Sequence, residues 1–273
     1  MNNALKKERV FFLCSYARRK TNFWDPCEQK SSRARNEKRR ISLLVILLLM
    51  GGAAFAQPSS PLFSAFKQGI VKTQEKKAGN CASVAIIKAA IGTYGVGKVF
   101  QQQLGKNGLA VVLRDGAPVS LTPAELEMAS AASAFVPGDT AQKELKEIFN
   151  YAQLCFAVLV KRYQGLTEPA IGSYSKAIAD INGGYRTEEI YKLLGLKVLP
   201  LEENPSYQTL STHANLLIWN TAHAVYYSKG YYDESGNRFP TAVEIEQLRK
   251  RHASFWGTLI NGSKPRGGYS LLD

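Results

Sequence analysis

Gly79-Asn80-Cys81-Ala82-Ser83-Val84-Ala85-Ile86-Ile87-Lys88-Ala89-Ala90-Ile91-Gly92 is the segment from which the rest of the chain can be placed. Alanine and straight-chain residues dominate it, Asn80 can cap, and Gly92 can terminate, so it predicts a helix starting at about Cys81. Apolar residues occupy nearly every side of that helix, which predicts burial. A cysteine in its first turn faces unsatisfied N–H groups and the positive end of the helix dipole. Both stabilise a thiolate, the form of the side chain that attacks carbon. The preceding Gly79 lets the chain approach closely, and the Cys81 N–H can stabilise an oxyanion.

Downstream, Leu109 to Thr122 holds two β-rich runs around Asp115-Gly116, a tight-turn dipeptide, and predicts a hairpin. Thr122-Pro123-Ala124-Glu125 opens a helix with Thr122 as cap. Ala141 to Tyr163 predicts a long helix with Leu145, Ile148, Phe149, Ala152, Cys155, Phe156 and Leu159 on one face. Asn182-Gly183-Gly184-Tyr185 signals a chain reversal, and Thr187 then caps a helix with Glu188 and Glu189 in its first turn. Leu216–Trp219, Ala224–Tyr227 and Tyr231-Tyr232 read as strands, Asp233–Asn237 as a turn, and Thr241 to about Leu259 as a final helix. Helices first and sheet later argue α+β rather than alternating α/β.

The 273 residues are 45% hydrophobic and 21% charged, which excludes disordered and collagen-like chains. The formal charge is +13, but residues 1–56 hold 12 Lys and Arg against 4 Asp and Glu. The remaining residues hold 23 against 18, so the body is only mildly basic and nucleic acid is not an expected partner. Within the head, Lys38-Arg39-Arg40 precedes the uncharged run Ile41–Met50, and Ala54-Phe55-Ala56 is an A-x-A cleavage signature. This pattern predicts a signal peptide cleaved after Ala56 and a secreted or periplasmic product. Membrane association is expected only if that segment stays uncleaved. The expected organisation is thus a basic extension and signal peptide over 1–56 and one domain over 57–273. The domain has a helical part at about 74–195 and a sheet part at about 196–273.

Cleavage leaves Cys81 and Cys155, which in an oxidising compartment could form one disulfide or leave a reactive thiol. Cys155 lies in an apolar stripe and reads as a core residue. If Cys81 is a nucleophile it needs a base, and the chain has three histidines. His252 sits in the basic run Arg249–His252, and His213 precedes a strand. His223 opens His-Ala-Val-Tyr-Tyr, so it can project from a sheet edge toward a helix terminus. His223 is the first candidate and His213 the reserve. No P-loop, dinucleotide fingerprint, HExxH or zinc spacing is present.

Gly-Asn-Cys at a helix start, then Asn-Gly-Gly-Tyr, then His-Ala-Val at a strand start resembles the papain-like cysteine peptidases, calpains included. The resemblance covers roughly Gln74 to Asn237. It implies a helical subdomain carrying the cysteine, an antiparallel sheet subdomain carrying the histidine, and a cleft between them. It further implies that Gly183 and Gly184 bind substrate backbone, that Gln74 is the second oxyanion donor, and that the partner is a peptide or protein substrate. No cofactor is implied. The chain departs from the family in lacking a Trp after the cysteine and in an interval of about a hundred residues between Cys81 and Gly183. It also lacks the Asn-Ser-Trp-Gly type of motif that orients the histidine. Asp233 takes that role if the hairpin turns at Lys229-Gly230, and Asn237 is the other option if it turns at Ser235-Gly236. The same residues are similar to NlpC-type peptidoglycan amidohydrolases, and a catalytically inactive papain-like binding module is a further alternative.

Overall fold

The computed structural model describes residues 60–71, 76–77, 79–105, 107–167, 170–202, 210, 212–220, 223–240 and 266–272. The expected signal segment with its cleavage site, Gln74, His252 and the expected helix from Thr241 lie outside the described residues. The described part is α+β. The helices are α1 (Leu62–Ala65), α2 (Cys81–Tyr94), α3 (Pro123–Ala132), α4 (Lys143–Thr167) and α5 (Tyr174–Gly183), followed by a 3₁₀ helix (Thr187–Leu194).

Helix α2 is the pivot. Its residues from Ala82 to Ile91 are all buried, as the apolar composition requires, and it packs against both α4 and the sheet. It runs past Gly92 to Gly95, whose φ of +94° ends it. Gly92 serves a different purpose: a Cβ there would lie 2.3 Å from Asn215 Oδ1, so the absent side chain is what lets the sheet's leading edge press on the helix. The charged member of the segment, Lys88, is fully buried. Helix α4 has the expected stripe, with Leu145, Ile148, Ala152, Cys155, Phe156 and Leu159 all buried. Thr122 and Glu125 form a reciprocal capping box on α3. The 3₁₀ helix departs from expectation, because Arg186 holds the cap position without a side-chain hydrogen bond and Thr187 is already helical.

The main sheet has the strand order β12-β11-β10-β9-β13-β8 and is antiparallel throughout. Its strands are β8 (Val198–Pro200), β9 (Leu216–Trp219), β10 (Ala224–Ser228), β11 (Tyr231–Glu234), β12 (Asn237–Pro240) and β13 (Gly267–Leu271). Both turns weighed at the sequence level exist. Lys229 and Gly230 turn β10 into β11, and Ser235 and Gly236 turn β11 into β12, each pair with positive φ as a tight hairpin demands. A separate three-stranded sheet, β4 (Gln101–Gly105), β5 (Gly108–Val112) and β6 (Pro118–Leu121), contains the expected hairpin about Gly116. Near the start, β1 (Phe66–Gln68) pairs with β7 (Phe135–Pro137). Two further two-residue strands, β2 (Ile70–Val71) and β3 (Lys76–Lys77), pair with each other.

Candidate active site

Cys81 is the first residue of α2 and is half-buried. It is not joined to Cys155 by a disulfide. The ladder inside α2 begins with the Val84 N–H donating to Asn80 O at 3.0 Å, so earlier amides of the first turn have no carbonyl within the helix. Asn80 stands at the cap position but does not cap. Its Nδ2 donates instead to Ser133 O (2.8 Å) and Asn182 Oδ1 (2.9 Å). The side chain expected to satisfy the helix end is thus used to tie it to two other segments, the ends of α3 and α5.

Further bonds bind the end of α5 to both of its neighbours. The Gly79 N–H donates to Asn182 O at 2.7 Å, and Asn182 Nδ2 donates to Ala132 O at 2.6 Å. The glycine pair that follows is exposed, with open space where a Cβ of Gly183 would point. Two motifs a hundred residues apart in sequence, Gly-Asn-Cys and Asn-Gly-Gly, therefore lie against each other.

His223 immediately precedes β10. Asn220 fixes its backbone from both sides: the His223 N–H donates to Asn220 Oδ1 (2.8 Å), and the Asn220 N–H donates to His223 O (3.0 Å). Cys81 and His223 line one cleft, floored by Val84 and Ala85 of α2 and walled by Gln68 of β1 and by Ser235 and Gly236. His213 lies elsewhere. Its carbonyl accepts from the Lys229 N–H at the far end of β10, six residues and on the order of 20 Å along the strand from His223.

Asp233 also lines the cleft but departs from the role expected of it. Tyr227 pairs with Tyr232 and Ser228 with Tyr231, and continuing that register sets Asp233 opposite Tyr226, not His223. Its carboxylate is held on both sides, Oδ2 by Lys88 Nζ at 2.6 Å and Oδ1 by the Gly236 N–H at 2.8 Å. Burial pushes the Lys88 ammonium below its ordinary pKa and the Asp233 carboxyl above its own, while their mutual attraction opposes both shifts. Asn237 pairs with Glu234 in the second hairpin and is exposed. Cys155 is fully buried, and desolvation pushes its thiol far above the usual range, so it is inert.

Three contributors escape a reading of the sequence. Gln68 reaches the cleft only because β1 pairs with β7, a contact between segments some seventy residues apart. Asn220 carried a usable signal, an Asn opening the link between two strands. Lys88 carried another, a lone cation in an apolar helix that has to find a buried partner. Among the described residues, no group of three or more His, Cys, Asp or Glu side chains could hold a metal ion. Comparison with known proteins finds no matching family model, no matching curated protein and no matching solved structure.

Proposed function

We propose that this chain is an exported cysteine peptidase or amide hydrolase of papain-like arrangement, acting on a peptide or protein substrate through an acyl-enzyme. The observation that carries this reading is the shared cleft of Cys81, at the start of a buried helix, and His223, at the start of a sheet strand. Apposition of the Gly183-Gly184 edge to Gly79-Asn80 supports it further, since exposed glycine backbone next to a nucleophile suits an extended peptide.

In the proposed cycle the Cys81 thiol gives its proton to the His223 ring, and the thiolate attacks the substrate acyl carbon. The oxyanion that forms takes hydrogen bonds from the Cys81 N–H and from a side-chain amide. Gln68 is the described residue suited to that second bond; Gln74, implied by the resemblance, lies outside the described residues. His223 returns the proton to the leaving amine, which departs and leaves a thioester. Water then attacks the thioester with His223 as base, and the acid product leaves as the thiol re-forms. Asn220 holds the base in place through its backbone.

The test is a biotinylated peptidyl chloromethyl ketone applied to the full chain under reducing conditions, with the adduct located by peptide mapping. Labelling at Cys81 that is lost in Cys81→Ala and His223→Ala is expected. Labelling of Cys155 alone, or of neither cysteine, overturns the reading. Release of stem peptides from peptidoglycan in place of protein cleavage would assign the amidohydrolase substrate. For export, the mature N-terminus read by mass spectrometry is expected at Gln57.

A further inference from the structure

A buried ion pair is seldom retained for stability, because apolar residues of the same volume usually pack as well or better. The Lys88–Asp233 pair, with side chains 0% and 6% exposed, therefore calls for another explanation. Its remaining bonds supply one. Lys88 lies seven residues after Cys81 on α2, two turns further along the face that carries Val84 and Ala85. Besides Asp233, its Nζ donates to Phe63 O at 3.0 Å and lies 4.9 Å from the Phe66 ring centroid. Phe63 belongs to α1, which runs without a break into β1 and so into Gln68. On the other side, Asp233 Oδ1 accepts from the Gly236 N–H in the turn that walls the cleft. The Lys88 bonds thus join the nucleophile's helix to α1 and to β11, and the Asp233–Gly236 bond carries that link on to the turn beside the cleft.

We infer that Lys88 and Asp233 are positioning residues, which hold the helix of Cys81, the strand of Gln68 and the Ser235-Gly236 turn in one arrangement. The inference rests on reading Cys81 and His223 as a catalytic pair. Its physical content is that thiolate formation and attack depend on placement to within about 1 Å, and a loosened wall costs rate without unfolding the chain.

The experiment replaces the pair with apolar residues of similar volume, Lys88→Met with Asp233→Leu, in the full chain. It measures alkylation of Cys81 by iodoacetamide at pH 6 and pH 9 beside urea unfolding. The unfolding midpoint is expected to be unchanged or raised. The pH 6 rate is expected to fall about tenfold, toward that of an ordinary thiol, with less than about a twofold change at pH 9, where any thiol ionises. A stable double variant that keeps the wild-type rate at pH 6 overturns the inference. If His223→Ala still abolishes the pH 6 reactivity of the otherwise unaltered chain, that failure leaves the catalytic reading standing. Ordinary thiol behaviour of Cys81 in the unaltered chain overturns both. Should the double variant not fold, amide exchange of the unaltered protein decides. The Gly236 N–H is expected to exchange at least about a hundredfold more slowly than in a free peptide, and exchange at the free-peptide rate overturns the inference.

Discussion

Gly79 and Gly183 meet backbone to backbone: a Cβ on Gly79 would lie 2.5 Å from the Gly183 carbonyl oxygen and 2.7 Å from its carbon. Neither of those atoms belongs to a flexible side chain that could yield. Gly79→Ala must push the end of α5 away from the start of α2, breaking the 2.7 Å bond from the Gly79 N–H to Asn182 O. The expected loss is about 1–3 kcal/mol in urea unfolding, the usual cost of overpacking. Peptidyl-probe labelling of Cys81 should fall with it, because the glycine edge and the thiol move apart. Wild-type stability and labelling in the alanine variant would show that the two motifs are not tightly seated.

The two described histidines should separate cleanly. His223→Ala removes the one imidazole that lines the Cys81 cleft among the described residues and is expected to lower the rate of peptide turnover by about 10²–10⁴, the usual worth of a general base. His213→Ala lies at the other end of the strand and should leave the rate within about twofold. Asn220→Ala keeps the ring but releases its backbone anchor, with an expected loss of about tenfold. Equal effects of the two histidine substitutions on turnover would remove His223 from the proposed mechanism.

What the sequence disclosed follows the range of each interaction. Local chemistry was legible: the Thr122 cap, the α4 stripe, the tight turns, and the start of α2 at Cys81 all depend on residues within one or two turns. Both short motifs, Gly-Asn-Cys and Asn-Gly-Gly, stood out in the sequence, but their direct contact through Gly79 and Gly183 did not. Long-range register was not legible. The β10–β11 pairing that sets Asp233 opposite Tyr226 is fixed by which residues the turn leaves facing each other, and two adjacent turn signals left that open. Strand β13 joins the middle of the sheet from the chain's end, and nothing in its own residues announces its neighbours. Gly92 misled for a related reason, since a helix-ending residue and a contact-permitting one look the same until the partner, Asn215, is known.

Cys155 offers a control on the chemistry of Cys81. It is wholly enclosed in the core, and loss of hydration holds its thiol protonated far beyond neutral pH. Iodoacetamide is expected to alkylate Cys81 at least about a thousandfold faster than Cys155 in the native protein, and both at the same rate in denaturing urea. Peptide mapping of timed samples reads this directly. Comparable native rates would mean that the core around α4 opens readily, contrary to its packing.

The α3 cap ties stability to acidity at a distance from the cleft. Glu125 is partly desolvated, which by itself raises its pKa. The bonds from Lys161 Nζ at 2.6 Å and from the Thr122 N–H at 2.9 Å outweigh that and hold it below the ordinary carboxylate value. A carboxyl with a depressed native pKa contributes stability that is complete above its unfolded value, about 4.3, and is lost as pH falls through the native one. Glu125→Gln should therefore cost about 1 kcal/mol at pH 7, in line with a lost cap and a half-buried ion pair. The cost should shrink as the pH falls through the native pKa, where the wild-type group takes up its proton. Urea midpoints of both proteins across that range test the sign: a cost that grows toward acid would mean that Glu125 is neutral in the native state.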